Sequence, residues 1–188
     1  ARRSRRLVRF MAKKSVFGHR VAGPLMRGMK HIPVDRRAGG AAFDAAVAAL
    51  RGGEIVGVFP EATMSRAYEL KPFKPGAVKM ALDAGVPILP TTVWGSQRVW
   101  SKNVPKHLLR SNIPVHVTVG APLVVGADES VADANERLRA VMQAQLDAQQ
   151  AVYPALSGDD LIYLPARLGG QAPTSNHRNL WMGLGAVT

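Results

Sequence analysis

Glu61, Thr63, Ser65 and Arg66 put a carboxylate, two hydroxyls and a guanidinium within six residues of chain. They follow the apolar run Ile55-Val56-Gly57-Val58-Phe59, which has the length and composition of a buried strand. Pro60 stops that run, because a proline has no N–H to give to a ladder. In an α/β protein the loop leaving the carboxyl end of a strand is where ligands bind. The cluster therefore suits charge pairing and hydrogen bonding with a polar ligand, and it equally suits a solvated turn.

The charge of the chain favours an anionic ligand or surface. Of the formal net charge of +12, residues 1–37 hold 12 Lys and Arg against the single acid Asp35, a local excess of +11 led by Arg2, Arg3, Arg5 and Arg6. Such a surface attracts nucleic-acid phosphates, anionic lipid head groups or a phosphorylated small molecule. There are no cysteines, which excludes disulfides, thiolate metal sites and a cysteine nucleophile. No apolar run approaches the ~18 residues that cross a bilayer. The 188 residues suit one domain with a sizeable core. Residues 1–165 are expected to form it and 166–188 an irregular, mobile tail. The chain starts at Ala1 with no methionine before Met11, so a fragment or processed product is expected.

The loop must be positioned by alternating strands and helices. Leu7–Ala12 reads as a strand. Phe17, Val21, Leu25 and Met29, with Ala22 and Met26, recur at helical spacing and predict a helix with one buried face. Pro24 inside that pattern predicts a kink or a break into two pieces. His31–Asp35 reads as a short strand, and Pro33 places it at an edge or bulge. A helix over 41–50, the strand 55–59, a helix over 77–84, strands over 86–93 and 115–119 and a long helix over 130–149 complete the series. This alternation predicts an α/β fold, a central mostly parallel or mixed sheet flanked by helices.

Three blocks carry a resemblance. Phe59-Pro60-Glu61-Ala62-Thr63-Met64-Ser65-Arg66, His31-Ile32-Pro33-Val34-Asp35-Arg36 and Val86-Pro87-Ile88-Leu89-Pro90 resemble, in order and spacing, blocks of the phospholipid/glycerol acyltransferases, which include the lysophosphatidic acid acyltransferases. The similarity covers roughly residues 7–125. It implies a glycerol-phosphate acyltransferase-like fold and transfer of a fatty acyl group to the hydroxyl of a lysophospholipid such as 1-acylglycerol-3-phosphate. The implied donor is acyl-CoA or acyl carrier protein, with no further cofactor and no metal. It also implies that Arg36, Glu61, Thr63 and Ser65 hold the phosphate and glycerol of the acceptor, an arginine fork being able to bind phosphate through two bonds. Where the family's block has an arginine, this chain has Met64, and Arg66 is the expected replacement. Lys74 and Lys71, ahead of a helix N-terminus, add positive field or belong to a solvated turn. Glu61 is expected to accept from backbone N–H groups near its turn.

The family's catalytic His-x4-Asp pair is absent and is expected upstream of Ala1. In that pair the His serves as base and the Asp orients it. His31 and Asp35 have three residues between them and would lie ~13 Å apart on an extended strand. His177 in Ser175-Asn176-His177-Arg178 has no acid after it, and His19, His107 and His116 are lone histidines. The expected partners are a lysophospholipid, an acyl thioester and the anionic cytoplasmic face of a membrane, bound peripherally. The chain alone is expected to be inactive, and the alternative is a non-catalytic phosphate- or lipid-binding module. Nucleic-acid binding is not expected, since few aromatics accompany the basic residues.

Overall fold

The computed structural model describes residues 7–35, 39–109 and 111–174, which fall into two compact units. Arg2, Arg3, Arg5, Arg6, Arg36 and His177 lie outside the described residues.

In the first unit (up to residue 62, with 73–88 and 122–137), β1 (Val8–Lys13) is the centre of a three-stranded sheet. It pairs in parallel with β2 (Ile32–Val34) on one side and β3 (Ile55–Gly57) on the other, in the register Met11 to Ile32 and Val8 to Ile55. Pro33 therefore sits on an edge strand, where its missing N–H breaks no ladder. Parallel neighbours need long crossovers. The first is made by α1 (Lys14–Phe17) and α2 (Ala22–Gly28), the second by α3 (Gly39–Arg51). The alanines of α3 keep it slim enough to bury Ala42, Ala46 and Val47 against Ile32 and against Met80 of α4 (Gly76–Ala84). Met11, Val56 and Val58 close this core from the sheet side. Arg9 fastens the layer from its edge. Its Nε donates to the Lys30 carbonyl (2.6 Å) and its Nη1 to Glu54 (2.8 Å).

The predicted helix over 16–29 does break in two, but the break falls at 18–21 rather than at Pro24. Pro24 is the third residue of α2, where its absent N–H would have had no helical partner. The break resets the helical phase. Ala22 and Met26 turn inward while Val21 and Leu25, expected in the buried face, are 77% and 60% exposed. The expected strand over 86–93 is divided as well. Ile88 makes an isolated bridge to Leu123 in this unit, and a new strand starts only after Pro90.

The second unit (63–72, 89–121 and 138 onward) is built on an antiparallel pair, β4 (Thr91–Trp94) and β5 (His116–Val119). The later turns of α6 (Val131–Ala151) pack on its inner face, where Gln149 donates to the Thr92 carbonyl and to Thr118 Oγ1 (2.8 Å). Between these elements α5 (Ser96–Val99) carries Arg98, which pairs with Asp160 at 2.7 Å. The start of the stretch expected to be an irregular tail is fixed: Ala166–Leu168 form a 3-10 turn, and the Gln171 and Ala172 N–H groups bond back to Leu161 and Leu164. Residues 175–188 lie outside the described residues.

Two outcomes follow. Arg9→Met removes two charge-assisted bonds from a half-buried position and is expected to cost about 1–3 kcal/mol in urea unfolding. Glu54→Gln, which leaves the Lys30 bond intact, costs less. At the start of α6, Arg137 donates to both Glu129 oxygens and the Gly126 N–H to one of them, which holds the Glu129 carboxyl below the usual range. A lowered folded pKa means that this contribution is present at neutral pH and lost as pH falls through the lowered value. Stability measured against pH should show a shallower acid limb in Glu129→Gln.

Candidate functional site

β1, β2 and β3 run parallel, so the chain leaves all three at the same edge of the sheet. Lys13 and Lys14 emerge from β1, Asp35 from β2 and Val58–Ala62 from β3. Lys14 Nζ and Asp35 Oδ2 are 3.6 Å apart across that edge, a solvent-exposed pair. This is the carboxyl edge of a parallel sheet, the position at which α/β proteins bind ligands. Two of the blocks singled out from sequence therefore end at the same edge, on either side of β1, for a reason of topology.

The exit from β3 is shaped by a tight turn. The Ala62 N–H bonds the Phe59 carbonyl at 3.0 Å, and Ala62 takes φ +56°. That is the left-handed region in which a Cβ crowds the following carbonyl. Alanine thus occupies a conformation that glycine would adopt freely. Glu61, in the same turn, is half-buried and engaged by its surroundings. Just beyond, the Lys74 N–H donates to the Pro60 carbonyl at 2.8 Å, which brings Lys74 beside the turn and two residues ahead of α4. Glu61 and Lys74 are brought together in this way. The N-terminus of α4 has no side-chain cap, so the peptide dipoles there are left to face whatever approaches.

Phe59 is 72% exposed and stacks on Phe10 with centroids 5.8 Å apart, on the face of the sheet away from α3. Gly57 permits this: a Cβ there would lie 2.5 Å from the Phe10 ring.

In the second unit, the segment 63–72 has its own fastening. Lys71 Nζ donates to Thr63 Oγ1 (2.8 Å) and to the Met64 carbonyl (2.7 Å). Sequence reading offered Lys71 as a source of positive field, and the structure gives it a second task as the clamp of this loop. The signal lay eight residues from its partner and had no periodicity to reveal it. Met64 and Arg66 are exposed and Ser65 is half-buried. Arg66 makes no ion pair among the described residues.

The histidines have local work. His31 Nδ1 accepts the Phe10 N–H (3.0 Å), His19 Nδ1 accepts from Val21 and Ala22, His107 lies 3.4 Å from the Tyr163 hydroxyl and His116 packs edge-on against Tyr153. Among the described residues no histidine pairs with a carboxylate, and no group of His, Asp and Glu could hold a metal ion. No helix among them is long and apolar enough to cross a membrane.

Replacing the strained alanine is expected to help: Ala62→Gly should raise stability by about 0.5–1 kcal/mol, the left-handed penalty less the added freedom of the unfolded chain. An unchanged or lower urea midpoint would contradict this. Lys71→Met should speed limited proteolysis within 63–70 severalfold, with Lys71→Arg intermediate.

Comparison with known proteins agrees with this geometry. The sequence model of the Acyltransferase family matches residues 1–94, half of the chain. The chain is 31% identical over 138 residues to the 1-acyl-sn-glycerol-3-phosphate acyltransferase of Bacillus subtilis, covering 73% of this chain and 64% of that protein. It is 35% identical over 83 residues to the enzyme of the same name from Borreliella burgdorferi, covering 44% and 32%. The chain thus spans about a third to two thirds of the length of these relatives. The crystal structure of the 1-acyl-sn-glycerophosphate (LPA) acyltransferase, PlsC, from Thermotoga maritima superposes with a TM-score of 0.63 over 79% of this chain and 59% of that one. At 19% identity that likeness establishes the α/β fold. By the family match, the chain belongs to the Acyltransferase family.

Proposed function

We propose that this chain is the acceptor-binding part of an acyltransferase that moves a fatty acyl group from an acyl thioester, acyl-CoA or acyl carrier protein, to the hydroxyl of a lysophospholipid such as 1-acylglycerol-3-phosphate. The observation that carries the reading is the Phe59–Ala62 turn at the carboxyl edge of a parallel sheet, in a chain of this family. The names of its relatives support the acceptor class. In the reaction, the acceptor hydroxyl oxygen attacks the thioester carbonyl carbon, the C–S bond breaks, and the hydroxyl proton passes through a base to the departing thiolate. Arg66 replaces the arginine of the family block that is Met64 here. With Arg36, Thr63 and Ser65 it binds the phosphate and glycerol. Lys74 adds charge beside the uncapped α4 terminus, and Glu61 fixes the turn. These 188 residues contain no His-x4-Asp pair to supply the base, and on this reading the chain by itself does not turn over. It works peripherally, at the anionic cytoplasmic face of a membrane.

The test is calorimetric binding of a short-chain lysophosphatidate below its micellar concentration. Saturable binding is expected, weaker by about tenfold or more in Arg66→Ala, since a charge-assisted bond is worth roughly 1.5–3 kcal/mol. The phosphate-free monoacylglycerol should bind weakly, with no dependence on Arg66. Equal affinity for the two lipids would overturn the acceptor assignment. Turnover of acyl-CoA by the purified chain would show that the base lies within it.

A further inference from the structure

The reset helical phase in the first crossover leaves a surface that the acceptor loop does not use. Val21 and Leu25, one turn apart, are 77% and 60% exposed, with Pro24 between them also exposed. Both lie on a flank of α2, about 100° round the helix from the half-buried Ala22 and Met26. Single exposed apolar residues are ordinary. Here the two share one face, and the charge around them is of one sign. Residues 11–34 carry Lys13, Lys14, Arg20, Arg27 and Lys30 and no acid at all. All five basic side chains are exposed. Lys14 has only the loose 3.6 Å contact with Asp35, and Arg20 makes no ion pair among the described residues.

The hairpin that presents this surface is held in shape. A Cβ on Gly23 would lie 2.3 Å from the Phe17 carbonyl oxygen, so glycine allows the start of α2 to press against the end of α1. Arg27 Nη1 donates to that same oxygen at 2.8 Å. His19 caps the first turn by accepting the Val21 and Ala22 N–H groups, and its carbonyl accepts the Gly23 N–H at 2.8 Å. These bonds hold Val21 and Leu25 outward without help from a partner. Little ordering cost is then left for a binding event.

We infer that the α1–α2 hairpin is a membrane-docking surface, on which Val21 and Leu25 enter the acyl boundary of an anionic bilayer while Lys13, Lys14, Arg20, Arg27 and Lys30 meet its head groups. The occupant follows from charge. A second copy of this chain would bring the same basic surface against itself, whereas an anionic leaflet neutralises it. Apolar tips ringed by cations are the combination that interfacial binding uses. The inference rests on the reading of the chain as acting on a membrane lipid, and it names the residues through which contact is made.

The chain contains no cysteine, so one introduced thiol reports one position. An environment-sensitive fluorophore would be attached at Val21→Cys and, as a control on the exposed face of β5, at Val117→Cys. Each labelled protein would be mixed with vesicles of phosphatidylcholine alone or with phosphatidylglycerol. A blue shift is expected at position 21 with the anionic vesicles only, and none at position 117. In flotation, Val21→Asp/Leu25→Asp should lose at least tenfold in partitioning. Arg20→Glu should lose fivefold or more, a cation near an anionic leaflet being worth about fivefold in binding. Melting temperatures should stay at the wild-type value, because both apolar side chains already face water.

Unshifted fluorescence at position 21, or undiminished flotation of the double variant, overturns the proposal. So does an effect of these substitutions on self-association in place of flotation. Binding of short-chain lysophosphatidate without vesicles should be untouched by them. Failure here therefore leaves the acceptor assignment standing, and failure of that assignment leaves vesicle binding measurable by itself.

Discussion

Everything in the first unit depends on β1 being hydrogen-bonded in parallel on both edges. A parallel pair cannot be joined by a tight turn, so each neighbour of β1 requires a crossover, and each crossover must cover or skirt the sheet. The α3 crossover covers it and supplies the alanine-lined core. The α1–α2 crossover is interrupted at 18–21 and makes a basic hairpin instead of a continuous covering helix. The same pairing forces the three strand exits to one edge. The Ile32–Asp35 and Phe59–Ala62 blocks, more than twenty residues apart in sequence, come to the same edge on either side of β1.

The loop after β3 is fastened by main-chain bonds and by the Lys71 contacts to Thr63 and the Met64 carbonyl. The Phe59–Ala62 turn and the Pro60–Lys74 bond are backbone interactions. They leave Lys74 free to face solvent while its own amide holds the stem. Lys71 is the side chain that shapes the tip.

Much of this was legible in the sequence where a local rule acts alone. Pro33 announced an edge strand, and the helix expected over 41–50 is present, although it starts earlier, at Gly39. Ala62 stands at a φ of +56°, a conformation that favours glycine and that its residue type does not announce. What could not be read were features set by where a pattern breaks. The residues from Phe17 to Met29 fit one helix well, and nothing in their spacing tells that Gly18–Val21 unwinds and rotates the following face outward. Val86–Val93 likewise reads as one strand, although Pro87 and Pro90 each remove a donor and let the chain part into a bridge and a separate strand. The Lys71 clamp needed two positions to meet around a loop, which composition does not encode.

The bond between the Pro60 carbonyl and the Lys74 amide has a consequence for how this family can vary. It joins the two ends of a thirteen-residue excursion through atoms that every residue but proline possesses at position 74. Closing such a loop becomes only slightly harder as it lengthens, about 0.6 kcal/mol for each doubling. The stem therefore acts as a socket into which segments of different length and composition can be exchanged while the sheet beneath is undisturbed. Residues between Glu61 and Phe73 can then change in number and type without loss of that backbone closure.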